Sequence, residues 1–225
     1  LTTPWLTERH GYDPTFVRHG QTYLNRYHRV QGWSDAPLTS QGQTDAKRTG
    51  KVLSGVGFDY LFSSDLARTM ETARLLLAAS NNSQIKAPTP TPAFREEFFG
   101  FFEGLDSAML TNFLGAETGF DNFADMFSKL GPDTLKDRVA AADPYKDAEN
   151  HVQFWNRVSK GIDRLRSLPD GSTAVVVSHG VTIRSIAEHY GYHTTESVKN
   201  GSLTRLTLTP TDTQVDFYNQ LELPE

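Results

Sequence analysis

Cysteine is absent from all 225 residues. That excludes disulfides, thiolate metal sites and cysteine nucleophiles, and it leaves the redox compartment open. No apolar run approaches the roughly 20 residues that a membrane-spanning helix needs, so no membrane partner is expected. Basic runs are also missing: 22 Lys and Arg are scattered among 27 Asp and Glu, for a net charge of −5. No nucleic-acid partner is expected from such a pattern. A negative total does not argue against an anionic ligand, because the local field of a site decides what it holds. Internal repeats, low-complexity linkers and a signal-peptide pattern are not seen. The length suits one α/β domain with a good core, or a core plus a cap.

What is present is a strand-to-loop pattern that occurs twice. Phe16 and Val17 run into Arg18, His19 and Gly20, and Ala174, Val175, Val176 and Val177 run into Ser178, His179 and Gly180. Each reads as a buried strand that opens into a tight loop. In an open α/β sheet, ligands bind at the carboxyl ends of strands. An imidazole there can act as a nucleophile, and the guanidinium fork of Arg18 suits phosphate oxygens. Two histidines also raise a zinc site, but a third ligand is missing and neighbouring arginines repel a cation.

The elements between these strands follow from caps and periodicity. Pro14 shortens the first strand to 15–17, after an irregular stretch over 1–14. The segment 22–38 reads as a polar loop, in which Trp33 and Asp35 serve packing and turn formation. Thr39 caps a helix over 40–54, with Ala46, Gly50 and Leu53 facing the sheet. A strand over 58–62 and a helix over 66–79 follow, the latter with an apolar stripe of Leu66, Met70, Ala73 and Leu77. Arg68 sits in the first turn of that helix, where a cation opposes the helix dipole. It is explained by a bound anion or by an ion pair with Glu71 or Asp65. The segment 85–92 suits an edge strand or connector.

Glu96, Glu97 and Glu103 lie among five phenylalanines between Phe94 and Phe102. A carboxyl group beside aromatic walls has a raised pKa, which a general acid near neutral pH requires. The residues alone leave Glu96 and Glu97 as rivals, and Glu103 reads as a structural hydrogen-bonding group. The same phenylalanines suggest a pocket tolerant of apolar leaving groups. The segment 106–150 is an insertion of short helices broken at Gly115, Gly119, Gly131, Pro132 and Pro144. Its aromatic and aliphatic residues suit a cap over the site. Its aspartates (Asp121, Asp125, Asp133, Asp137, Asp143 and Asp147) read as a solvated face, without the spacing of a calcium loop. A helix over 149–168 carries Val152, Trp155, Val158, Ile162 and Leu165 on one face. A strand over 173–177, a helix over 181–190 and a hairpin of strands over 203–209 and 213–218 complete the chain.

The motifs as a set resemble the histidine phosphatase superfamily, the phosphoglycerate mutase-like family, in its cofactor-independent phosphatase branch. They are Arg18-His19-Gly20-Gln21-Thr22 with Asn25, Arg29, Gln31-Gly32-Trp33-Ser34-Asp35 and Pro37-Leu38-Thr39; Ser63-Ser64-Asp65-Leu66-Ala67-Arg68-Thr69-Met70-Glu71-Thr72-Ala73; Arg95-Glu96 with Phe99-Gly100 and Glu103-Gly104; Ser178-His179-Gly180; and Asn200-Gly201-Ser202. Any one is weak, but five in family order are specific. The resemblance implies a three-layer α/β/α sandwich with a mostly parallel central sheet. It implies a single domain over 1–225 with a helical cap insertion at about 106–150. It implies a phosphatase that hydrolyses phosphomonoesters through a phosphohistidine, without metal or cofactor. The roles implied are His19 as nucleophile and Glu96 as acid. Arg18, Arg68, protonated His179, Thr22 and Asn25 would hold phosphate, and Gln31 and Gly32 the substrate. The partner implied is a small phosphate ester, and the usual family compartment is the cytoplasm. Oligomeric state is left open. The alternatives are a mutase, which returns the phosphoryl group to a sugar acid, and a non-catalytic phosphate-binding module. A mutase of this family carries a basic, tyrosine-bearing segment after the acid, where this chain has Phe98, Phe99, Phe101 and Phe102.

Overall fold

The computed structural model describes residues 13–115, 119–120 and 122–224. In chain order the first half runs β1 (Asp13–Arg18), α1 (Tyr23–Arg26), α2 (Ser40–Leu53), β2 (Tyr60–Ser63), α3 (Ala67–Ala79) and β3 (Thr89–Pro90). The second half runs α4 (Ser107–Gly115), α5 (Phe123–Leu130), α6 (Pro132–Ala142), α7 (His151–Arg166), β4 (Thr173–Ser178), α8 (Gly180–His189), β5 (Leu203–Leu208) and β6 (Thr213–Gln220). Ala174, Val175, Val176 and Val177 of β4 are all buried, which a strand covered on both faces allows. β4 accordingly lies inside the sheet, paired in parallel with β1 and β2. The six strands among the described residues form one mixed sheet in the order β3-β2-β4-β1-β5-β6, with β5 antiparallel to β1 and β6 antiparallel to β5.

Alternation along the strands separates two hydrophobic layers. Phe16, Phe62 and Val176 join Phe154, Val158 and Ile162 of α7 and Ile183 and Ile186 of α8 on one face. Val17, Leu61, Val175 and Val177 join Leu53 of α2 and Ala73 and Leu76 of α3 on the other. The result is an α/β sandwich of three layers. A third cluster, built from Val30, Phe99, Phe102, Leu110, Met126, Phe127, Leu135 and Val139, holds α4, α5 and α6 together. No helix among the described residues is long and apolar enough to cross a membrane.

The structure differs from the sequence reading at several points, each with a local cause. β1 is longer than 15–17 and contains Pro14, which pairs with Ala174 on one side. β5 begins pairing only at Thr15, so no ladder partner loses a donor there. The loop over 22–38 contains α1, capped by the Thr22 hydroxyl accepting from the Asn25 amide. The buried face of α3 is Arg68, Thr69, Thr72, Ala73 and Leu76, whereas Met70 and Leu77 of the expected stripe lie at its edge. The polar members are turned inward because they carry the site. Val152 is exposed and Phe154 takes its place on the buried face of α7. Asp143 is buried rather than solvated, since it accepts backbone N–H bonds from Phe101, Tyr145, Asp147 and Ala148. The irregular stretch expected at the start of the chain lies, for residues 1–12, outside the described residues, as does Asp121.

Candidate active site

β1 and β4 are adjacent and parallel, with Arg18 in register with Ser178. His19 and His179 therefore leave neighbouring strand ends on the same side of the sheet, and their ring centroids are 5.2 Å apart. Gly20 follows His19 so closely against α2 that an added Cβ would lie 2.2 Å from the Gly42 carbonyl oxygen. The loop is pinned further by the Gly20 amide donating to Thr72 Oγ1 at 3.1 Å and by Asn200 Nδ2 donating to the His19 carbonyl at 2.9 Å.

Hydrogen-bond roles fix both imidazoles. His19 Nδ1 lies 2.8 Å from the Gly20 carbonyl, which can only accept, so Nδ1 carries the proton. Nε2 faces Arg68 Nε–H at 3.3 Å and presents a lone pair. Arg68 also donates from Nη2 to His179 Nδ1 at 2.9 Å, and His179 Nε2 lies 2.9 Å from Ser64 Oγ. Each ring is thus a neutral tautomer in this arrangement. Burial, then Arg68 and Arg18, hold His19 well below the ordinary value of 6.5. Burial, then Arg68 and His19, do the same to His179. The resemblance implies a protonated His179; the hydrogen bonds of this arrangement suit its neutral tautomer.

Arg68 is fully buried in the first turn of α3 and is held by donation to Gly32 O at 2.6 Å, Ser34 O at 2.9 Å and Asp35 Oδ1 at 3.1 Å. Its ion-pair partner is Asp35, not Glu71 or Asp65. Asp65 instead receives a two-pronged bond from Arg95 at 2.7 and 2.6 Å. Asp35 also accepts the backbone N–H groups of Ala67 and Arg68, so it caps α3 while orienting the arginine.

A cavity of about 510 Å³ lies beside this cluster, lined on its polar side by Arg18, Asn25, Gln31, Glu96 and Asn200. Arg18 bonds the Val198 carbonyl through Nη1, and its buried Nε has no partner. Gln31 Nε2 is likewise buried without a partner. The Gln31 orientation is set from its other end, where Oε1 accepts from Thr22 Oγ1 at 2.6 Å and Asn25 Nδ2 at 3.4 Å. Thr22 does not line the cavity, and neither do His19, Arg68 and His179, whose cluster lies beside it. The Thr22 hydroxyl proton goes to Gln31 and its oxygen accepts the Asn25 amide. Gly32 is buried away from the cavity as well. Its amide donates to Glu103 Oε2 at 3.1 Å, and a Cβ there would meet Glu97 O and Glu103 Oε1 at 2.2 Å each. Glu103 has the structural role read from the sequence, accepting also from the Trp33, Ser34 and Phe99 amides.

Glu96 lines the cavity, and its carboxylate sits at the N-terminus of α8. Oε1 accepts from the Thr182 amide at 2.9 Å, Thr182 Oγ1 at 3.0 Å and the Glu97 amide at 3.1 Å. Oε2 accepts only the Val181 amide, at 3.0 Å, which leaves it a lone pair. The raised carboxyl expected among the phenylalanines occurs at Glu97, which burial pushes up to about 8. Glu97 does not line the cavity. Its electrostatic neighbours are Lys136, Glu96 and Glu149, and Lys136 is itself fully buried in α6.

A family model described as "Histidine phosphatase superfamily (branch 1)" matches residues 15–221. The chain belongs to this superfamily. A 2,3-bisphosphoglycerate-dependent phosphoglycerate mutase of Methylocella silvestris is 31% identical over 178 residues, covering 76% of this chain and 77% of the relative. The crystal structure of a phosphoglycerate mutase from Bacillus anthracis aligns with a TM-score of 0.83 at 30% identity, covering 94% of this chain and 95% of that one. A mycobacterial glucosyl-3-phosphoglycerate phosphatase, solved in complex with VO3, shares the fold at a TM-score of 0.71 and 24% identity, over 92% and 98% of the two chains.

Two further residues support the segment that carries Glu96: Arg157, which the sequence reading did not name, and Trp33, which it read as loop packing. Arg157 of α7 donates to the carbonyls of Ala93 (3.0 Å), Arg95 (2.8 Å) and Glu96 (2.8 Å), and grips Glu149 at 2.7 Å through both Nε and Nη2. The Trp33 indole N–H donates to the same Glu96 carbonyl at 2.9 Å, and its ring stacks under Arg95 at 4.5 Å. The available signal for Arg157 is its spacing. It falls three residues after Phe154 and four before Gly161, both buried, so a cation on that face needs buried partners.

Proposed function

We propose that the protein is a metal-independent phosphatase that hydrolyses phosphomonoesters through a phosphohistidine at His19. The observation that carries this reading is the His19 ring: its hydrogen bonds put the proton on Nδ1 and leave a lone pair on Nε2, and burial and two arginines hold its pKa well below the ordinary value. A neutral imidazole held in this tautomer is a competent nucleophile. Its Nε2 attacks phosphorus as the bond from phosphorus to the ester oxygen breaks. Arg68 Nε–H, released from Nε2, turns to a phosphoryl oxygen, and Arg18 Nε supplies a second donor. Glu96 Oε2 delivers a proton to the departing alcohol. It then takes a proton from water, whose oxygen attacks phosphorus as the bond to Nε2 breaks. Fixed cations aimed at the phosphoryl oxygens supply the main catalytic term. Asn25 and Gln31 add donors to the substrate, and His179 becomes a charged donor once a dianion lies beside it. We further propose that the chain is one domain, with α4–α6 forming a cap over the cavity.

The phosphoglycerate mutases among the relatives favour a second reading, phosphoryl transfer between positions of a sugar acid. Hydrolysis is preferred because Phe99 lines the cavity where the mutase pattern has basic and tyrosine residues. The test is phosphate release from p-nitrophenyl phosphate in the presence of a chelator. We expect it to persist with chelator and to vanish in His19→Ala. Interconversion of phosphoglycerate isomers faster than phosphate release would select the mutase reading. Activity retained in His19→Ala would reject both.

A further inference from the structure

We propose that the cavity selects phosphate esters whose alcohol is apolar and at least ring-sized, such as aryl phosphates, over phosphorylated sugars and sugar acids. The inference rests on the phosphate-ester reading of the site and adds what the rest of the ligand is. At about 510 Å³, the cavity is within the range of roughly 300–1,000 Å³ that takes a drug-sized ligand. Polar and apolar residues share its lining. One part is a hydrogen-bonded chain, from Asn200 to Asn25 to Gln31, together with Arg18 and Glu96. Val30, Phe99, Leu110, Phe123, Phe127 and Val181 also line it, beside the polar Ser107 and Asn122, and these six apolar residues all belong to or pack against one hydrophobic cluster. The Phe99 and Phe123 rings meet edge to face at 6.1 Å.

A cation on that side is not free to receive a carboxylate. Arg184 lines the cavity, but it donates to Glu188 at 3.0 Å, to Ser128 Oγ at 2.9 Å and to the Thr194 carbonyl at 2.6 Å. Its guanidinium also lies 4.0 Å from the Phe127 ring centroid. Arg29 is exposed where it lines the cavity and donates to the Gly104 carbonyl at 3.5 Å. A sugar hydroxyl or carboxylate placed against the six apolar residues would lose water without gaining a donor, which is costly. An aromatic ring placed there gains both buried area and ring contacts. Half of this wall, Leu110, Phe123 and Phe127, comes from α4 and α5, so the inserted helices contribute more to the preference than the phenylalanines next to Glu96, of which only Phe99 takes part.

The test compares kcat/KM for 1-naphthyl phosphate, glycerol 3-phosphate and 3-phosphoglycerate in the wild type, Phe123→Ala and Phe123→Leu. It adds calorimetric affinity for 1-naphthylmethylphosphonate against methylphosphonate, which needs no turnover. We expect the naphthyl ester to be preferred at least tenfold in the wild type. That ratio should fall about fivefold or more in Phe123→Ala, the size of a lost aromatic contact, and recover in part in Phe123→Leu. Hydrolysis of all three esters with equal or reversed preference would overturn the inference and leave the phosphatase reading intact. Hydrolysis of none, with the naphthyl phosphonate still bound more tightly by the wild type than by Phe123→Ala, would uphold the cavity's preference and overturn the phosphatase reading. Equal affinity for the two phosphonates would overturn the inference without reference to catalysis.

Discussion

Two neutral, buried histidines make stability depend on pH in a way that can be calculated. In the folded protein both imidazoles are held well below 6.5, the value the unfolded chain regains. Below pH 6.5 the unfolded state therefore binds protons that the folded state does not, and stability falls as pH falls through that value. Each histidine destabilises the fold by RT ln(1 + 10^(6.5 − pH)), which is negligible at pH 7.5 and between about 1 and 2 kcal/mol at pH 5.5. The pair therefore removes about 3 kcal/mol between those pH values, a large part of the stability of an ordinary domain. The perturbation is His19→Gln with His179→Gln, which removes both titrations and keeps a polar side chain in each place. Comparing the two proteins at each pH cancels the titration of every other group. The assay is urea unfolding at pH 7.5, 6.5 and 5.5 in phosphate-free buffer, because a bound anion would favour the charged imidazoles. We expect the wild type to lose about 3 kcal/mol more than the double variant across this range, and each single variant to abolish about half of that difference. Parallel stability curves for wild type and double variant would refute the reasoning, since they would mean that the rings titrate alike in both states.

Other residues give equally specific outcomes. Arg157→Met should cost about 3–5 kcal/mol, because it strips a buried carboxylate and three carbonyls of their donor, and should lower kcat by loosening the strand of chain that carries Glu96; unfolding and turnover measured below the melting range check both. Gly20→Ala should destabilise by about 3 kcal/mol, as its Cβ would sit 2.2 Å from the Gly42 carbonyl oxygen, and a thermal melt reads this directly. Thr22→Val should cost about 1 kcal/mol as a lost helix cap. It should also raise KM, and combining it with Gln31→Ala should add little to the kinetic loss of Gln31→Ala alone, whereas a hydroxyl that contacted phosphate itself would give additive losses.

How much of this was legible before the structure depends on the distance over which each feature is determined. The two strand-histidine-glycine segments are local patterns, and they carried the α/β sheet and the convergence of His19 with His179, whereas the roles given to Arg68 and Glu96 came from the family resemblance. The caps at Thr39 and the hairpin after Leu203 are local as well. Asp35 and Arg157 were not legible because their partners are elsewhere: Asp35 bonds Arg68 and the start of α3, and Arg157 reaches the Glu96 carbonyl from another helix. Asp143 looks like one more surface acid until the loop around it turns four amides inward. Thr22 was assigned to phosphate through the resemblance and because a hydroxyl can donate to a phosphate oxygen. Only the fold reveals that Gln31 already takes its proton. The apolar wall of the cavity is the clearest case, since Leu110, Phe123 and Phe127 come from a segment with no motif, and their joint position depends on how three short helices pack.

The central claim is that the His19 imidazole bonds to phosphorus during turnover. The most direct measurement is to mix enzyme with a 32P-labelled aryl phosphate, quench in alkali within the first turnover, and map the label by peptide mass spectrometry. The account predicts an alkali-stable, acid-labile phosphoryl group on the peptide bearing His19, absent from His19→Ala and accumulating when Glu96→Gln slows its hydrolysis. Phosphate released at full rate with no labelled protein, or label on any residue other than His19, would contradict it.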